Sequence, residues 1–165
     1  MYERRVLLID PATAIVEAKK GLDRLHIEDN PDLASARAAG HAGEPVLVMR
    51  LDSPGQGYYL IPWQDERGIM LIVQVNAQNG MMTSASALSS PMQSLTIPPE
   101  DARRVVSDQL GVSVTGEPRL VWEACRESAS PYQPLYQVPV ADGDVFVSMD
   151  GSVHLSLTHF MKGGR

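Results

Sequence analysis

Three short signatures recur in the same order in the two halves of the chain, and that order restricts the fold more than any other feature. Gly43-Glu44-Pro45 leads into Val46-Leu47-Val48-Met49, and Gly116-Glu117-Pro118 leads into Arg119-Leu120-Val121-Trp122. Tyr59 to Pro62 and Tyr136 to Pro139 both read Tyr-x-x-Pro, and Asn79-Gly80 is answered by Asp150-Gly151. Collinear matches of this kind mark an internal duplication, in which one supersecondary unit is used twice. Because proline lacks a ladder donor, Pro62 and Pro139 place each Tyr-x-x-Pro segment at a sheet edge or at a bulge. Asn79-Gly80 and Asp150-Gly151 suit tight turns, where positive φ is cheap for these residues.

Each half opens with a helical pattern. Asp10 before Pro11 is a capped helix start, and Ile15, Ala18, Leu22 and Leu25 follow at spacings of three and four. A second, shorter helix is expected over residues 31–39, stopped by Gly40. In the second half Pro98 and Pro99 precede a helix whose apolar face is Ala102, Val105, Val106 and Leu110, with Gly111 as its stop. Strand composition marks residues 46–51, 58–63 and 68–75, then 119–124, 135–140, 145–149 and 153–157. Residues 83–94 are small and polar and read as the link between halves. The expected class is α+β. Residues 1–82 and 98–160 form two related halves, each a helix on an antiparallel sheet of three to four strands, with 83–97 connecting them and 161–165 a flexible tail.

A chain of 165 residues, 44% hydrophobic and 21% charged, can bury a core without a staple. Twenty acidic against fourteen basic side chains give a net charge of -6, which argues against nucleic acid as a partner. Cys125 is the only cysteine, so no internal disulfide or cysteine-rich zinc site can form, and a reducing compartment fits. Arg4 and Arg5 are followed by the short apolar run Val6 to Ile9, too short for a signal core or a membrane span. The expectation is a cytoplasmic protein with no membrane partner.

The order of helix, strands and Val75-Asn76-Ala77-Gln78-Asn79-Gly80 resembles the PepSY-type domain, whose last hairpin commonly reads Val-Asp-Ala-x-Thr-Gly. In the second half Pro99-Glu100-Asp101-Ala102 resembles that family's acidic helix start, and Val147-Ser148-Met149-Asp150-Gly151-Ser152-Val153 its closing hairpin. Asn76 and Asn79 stand where the family has Asp and Thr, and Pro98 where a capping Ser or Thr is common. The resemblance implies a cystatin-like helix against an antiparallel sheet, in a non-catalytic module that regulates or inhibits a peptidase or another protein. It carries over no catalytic residue.

Read from the residues themselves, the site candidates are aromatic. Trp63, Trp122, Tyr132 and Tyr136, with Tyr58 and Tyr59, either anchor a protein-binding face or plug the joint between the halves. The loop from Glu127 to Tyr136, with two prolines and two tyrosines, is the most unusual local segment. Cys125 with His154 or His159, oriented by Asp150 or Glu123, is the one nucleophile and base set the residue types allow, and a packed thiol is the plainer reading. His26, His41, His154 and His159 are too scattered for a metal motif, and Asp142-Gly143-Asp144 lacks the calcium-loop pattern. Gly55-Gln56-Gly57 and Gly163-Gly164-Arg165 lack the context of a phosphate loop. No catalytic residue, metal or cofactor is therefore assigned. The leading expectation is a non-enzymatic protein-interaction module; the rivals are a small-molecule-binding protein or small enzyme with a cleft between the halves, and a homodimer joined through a sheet edge.

Overall fold

The structure, a computed structural model, describes residues 7–25 and 27–161. Arg4, Arg5, His26 and, of the tail expected over 161–165, residues 162–165 lie outside the described residues. The chain is α+β and divides into two compact units, Met1–Met49 with Ser53–Leu95, and Arg50–Asp52 with Thr96–Arg165.

In the first unit α1 spans Pro11–Arg24. Asp10 has extended backbone and its carboxylate accepts from the Thr13 N–H at 2.7 Å, satisfying one of the orphan donors at the helix start. The buried face is Ala14, Ala18, Gly21 and Leu22; Ile15 is half-buried and Leu25 lies beyond the end, exposed. The helix therefore turns its small residues inward. A second helix, α2, covers Pro31–Ala39 within the expected bounds, capped by Asn30 and closed at Gly40.

Five strands follow: β1 (His41–Ala42), β2 (Val46–Arg50), β3 (Gly57–Asp65), β4 (Gly68–Asn76) and β5 (Met82–Met92). They order as β5-β4-β3-β2, with β1 also against β3, and the ladders are antiparallel. Every residue of β3 from Gly57 to Trp63 is buried, so this central strand shows no alternation. Tyr59, Ile61 and Trp63 join Leu71, Val73 and Val75 of β4 in the core beneath Ala14, Ala18 and Leu22. Tyr59 reaches further, its hydroxyl donating to the Ile9 carbonyl at 2.8 Å just ahead of α1.

Pro62 sits at a break in one ladder. Pairing with β2 ends at Val46 opposite Leu60, and pairing with β1 resumes at Ala42 opposite Trp63. Residues 43–45 thus pass the proline without needing its missing donor, while the Gly43 N–H bonds the Pro62 carbonyl at 2.7 Å.

The link expected over residues 83–94 is largely strand. Ala85 and Ala87 of β5 stand opposite Val73 and Leu71, and Ser84 and Ser86 opposite Gln74 and Ile72. Serine and alanine have low strand propensity, and pairing with the apolar β4 overrides it. The register slips where Ile69 meets Met92 and Leu71 meets Ala87, so residues 88–91 bulge.

Among its described residues the second unit has one helix, α3 (Pro99–Leu110), and four strands, β6 (Arg119–Trp122), β7 (Leu135–Val140), β8 (Gly143–Val147) and β9 (Val153–His154), paired in that order by antiparallel ladders. Pro98 gives α3 no side-chain cap, and Gly111 ends it in the left-handed region at φ 64°. Ala102 and Val106 pack on Tyr136, Val138, Val145 and Val147. The Tyr136 hydroxyl donates to the Ile97 carbonyl at 2.8 Å. Pro139 faces Asp144 on one side; on the other the β6 ladder ends at Arg119 opposite Gln137, and an isolated bridge pairs Val114 with Val140. β6, β8 and β9 stop before the ends their composition suggested, because the chain turns away at Glu123, Ser148 and Leu155.

An alanine at Gly21 would bring its Cβ to 2.6 Å from Met82 Cβ and 2.8 Å from its sulfur. Helix propensity alone favours Gly21→Ala by about 1 kcal/mol. The overpacking dominates, so the variant is expected to lose about 1–3 kcal/mol in chemical denaturation; a gain would show that α1 is not pressed against β5.

Candidate functional site

The six aromatic candidates separate by burial. Tyr58 is 3% exposed and Tyr59, Trp63 and Tyr136 are 4% exposed. Tyr59 and Trp63 belong to the core under α1, and Tyr136 to the core under α3. Burial pushes the Tyr59 phenol up, aided by the Asp10 charge; burial also raises Tyr136, with Glu100 adding to it and the Thr96 hydroxyl opposing. These side chains are committed to the interior of the chain. Trp122 and Tyr132 are half-buried, which narrows the aromatic part of a candidate surface to that pair.

Both belong to a stretch of the second unit organised by Ser128, a residue that composition gave no reason to single out because serines in loops are ordinarily solvated. Ser128 is 4% exposed. Its hydroxyl accepts from the Trp122 indole N–H at 3.2 Å and donates to the Gln133 carbonyl, and its own carbonyl accepts from the Cys125 N–H at 3.3 Å. One short side chain thereby joins the end of β6 to both limbs of the loop before β7.

The chain end beyond β9 is tied to the same loop. The Thr158 N–H and hydroxyl donate to Glu127 at 2.9 and 2.8 Å, the Arg126 N–H donates to the Thr158 carbonyl at 2.9 Å, and His159 meets Glu123 at 2.6 Å. The Thr158 backbone donor holds the Glu127 carboxyl below the usual glutamate range. Leu157 packs on the cluster of Val121, Cys125 and Leu135.

These contacts decide the cysteine question. Cys125 is fully buried, and burial raises its thiol above the ordinary value, which disfavours the thiolate. Its sulfur contacts the Ser128 carbonyl at 3.8 Å. His159 is engaged by Glu123, and His154 lies 2.6 Å from the Ser148 hydroxyl, so neither imidazole serves the thiol. His41 stands apart on β1. Among the described residues no three His, Cys, Asp or Glu side chains are placed to hold a metal ion. Asp144 accepts from Gln137, and Asp150 accepts from the Ser152 N–H, which keeps its carboxyl low; both act as local turn and strand contacts.

Among the described residues of the first unit, two clefts are lined by side chains of both signs. One, of about 480 Å³, lies beside Asp32, Arg67 and Leu88. The other, of about 360 Å³, has Lys19, Arg37 and His41 around it and Trp63 in its lining. Trp63 thus reaches a concave surface despite its burial.

No protein-family model matches the chain, and no curated protein does. Among solved structures, a putative lipoprotein from Clostridium difficile 630 is similar at 12% identity over 73% of this chain and 82% of that one, with a TM-score of 0.28. Agreement at that level carries no argument about role. No described helix is long and apolar enough to cross a membrane.

Ser128→Ala removes the hydroxyl that bonds the Trp122 indole N–H and the Gln133 carbonyl, and is expected to cost about 1–3 kcal/mol in denaturant titration. Glu127 contributes stability above the ordinary glutamate value of 4.5, and that contribution is lost as pH falls through its lower folded value. The stability gap between wild type and Glu127→Gln should therefore be widest near neutrality and close in acid. A gap independent of pH would remove the carboxylate from that role.

Proposed function

We propose that the chain is a duplicated, PepSY-like protein-interaction module that works by strand addition at β5 and performs no covalent chemistry. The duplication is supported by register. Tyr59, Ile61 and Pro62 stand opposite Val75, Val73 and Ile72, as Tyr136, Val138 and Pro139 stand opposite Val147, Val145 and Asp144. Both tyrosines bond a carbonyl just before a helix at 2.8 Å. Both Gly-Glu-Pro glycines lie against the proline: a Cβ on Gly43 would be 3.1 Å from Pro62 Cγ, and one on Gly116 would be 2.8 Å from Pro139 Cγ. The PepSY-like resemblance adds a regulatory or inhibitory role toward a peptidase or another protein.

The observation that carries the interaction reading is β5 itself. It stands at one end of the strand order, spans 11 residues and contains no charged side chain. Edge strands are normally shortened, bulged or charged to prevent pairing with another chain. In the second unit the end strand β9 has only 2 residues. The bulge at 88–91 and Pro91 blunt the far part of β5, and a second register shift leaves Thr83 unpaired between Met82 and Ser84, so Ser84 to Ala87 form the regular, uncharged part of the edge. The partner is a second copy of the chain or a strand of another protein, gained through main-chain hydrogen bonds.

Thr83 and Ser89 are exposed on β5, so Thr83→Lys/Ser89→Lys should lower the melting temperature only by what the exposed Thr83 hydroxyl bond to the Gln74 carbonyl contributes, while placing charge on the edge. Sedimentation velocity is expected to show self-association of wild type, or affinity capture a retained protein, that the double variant loses. A wild type that sediments as a monomer at every soluble concentration, and retains nothing that the variant loses, rejects the edge.

A further inference from the structure

The 360 Å³ cleft of the first unit supports a second kind of binding that does not rest on the edge strand. Lys19 and Asp23 lie four residues apart on α1, Arg37 comes from α2, His41 and Ala42 from β1, and Trp63 from β3. Four elements converge on one concavity. Its volume is within the range of small-molecule sites, which combine an apolar lining with a few fixed polar groups.

The apolar part is Ala42 with the small part of Trp63 that lines the cleft, and Gly40 lies against that indole. A Cβ at Gly40 would lie 3.1 Å from Trp63 Cδ1 and 3.0 Å from the Ala36 carbonyl, so any larger residue would press on the indole edge. The polar part reverses the sign of the molecule. In a chain of net charge -6, the lip carries two cations, Lys19 and Arg37, against one carboxylate, Asp23. Asp23 is paired with Arg37, which fixes the guanidinium over the cleft, while the Lys19 ammonium has no ion-pair partner among the described residues. The imidazole of His41 adds a hydrogen-bonding group on the same lip.

We infer that this cleft binds a small organic monoanion, a single carboxylate carried on a flat apolar body. The carboxylate lies between Lys19 and Arg37, and the body lies against the methyl of Ala42 and the small part of Trp63 that lines the cleft. The excess of one positive charge matches one negative charge; Asp23 repels a second, which disfavours a phosphate dianion. A neutral body of the same shape forgoes the charge-assisted hydrogen bonds.

Benzoate is the probe, with benzyl alcohol and inorganic phosphate as its neutral and polyanionic counterparts, followed by amide NMR of the whole chain. Benzoate should shift the resonances of Gly40, His41, Ala42 and the Trp63 indole N–H saturably. Benzyl alcohol and phosphate should each bind more weakly. Lys19→Gln, at an exposed position, should weaken benzoate by about two- to fivefold, the range for a solvent-exposed charge contact. Lys20→Gln should have no effect, because Lys20 pairs with Glu17 and does not line the cleft. No saturable shift at these residues overturns the site. Equal shifts by phosphate or by benzyl alcohol overturn the monoanion assignment, and equal losses in the two lysine variants overturn the role of Lys19.

Discussion

The bond from the Tyr59 hydroxyl to the Ile9 carbonyl ties the entrance of α1 to the middle of β3, and the packing of the first unit depends on where that tie is made. Ile9 immediately precedes the Asp10 cap, so the tie fixes the point from which the helix crosses the sheet. With the start held, Ala14, Ala18, Gly21 and Leu22 fall successively over Tyr59, its neighbours and Met82. Tyr136 and Ile97 do the same for α3, where Pro98 supplies no side-chain cap and the tyrosine bond is the fixed point near the helix entrance. A phenol suits this use because its ring fills the core while its hydroxyl satisfies a backbone acceptor.

Much of this was legible in the residues. Helix bounds followed from Asp10-Pro11, from Pro31 with the stop at Gly40, and from Pro99 with Gly111, since caps and stops are local chemistry. The buried face of α1 was less legible: Ile15 and Leu25 looked like core residues, but close approach to β5 selects small side chains. β5 was read as a connection because propensity is only a weak guide where a neighbouring strand supplies the pairing. The prolines of the Tyr-x-x-Pro segments were placed at an edge or a bulge, and the ladder break opposite residues 43–45 is the bulge-like solution in the interior of a sheet.

The site was read less well, and for a physical reason. Aromatic side chains serve cores and interfaces alike, so composition could not separate Tyr58, Tyr59, Trp63 and Tyr136 from Trp122 and Tyr132; burial does. Ser128 had no signal at all, since its importance comes from three groups that are brought to it only by the fold. The absence of charge in residues 82–92 was visible, and its meaning depended on learning that the segment is a strand at the end of the order.

The placement of Cys125 has a consequence for how any assembly of this chain is held. The only sulfhydryl is sealed beneath Leu157 and the Glu127–Thr158 contacts, so a folded molecule has no ready covalent bond to offer a neighbour. Complexes made through its surface are governed by mass action, forming as concentration rises and coming apart on dilution. Oxidants in the surroundings add no disulfide to such complexes until the molecule that bears the thiol has opened.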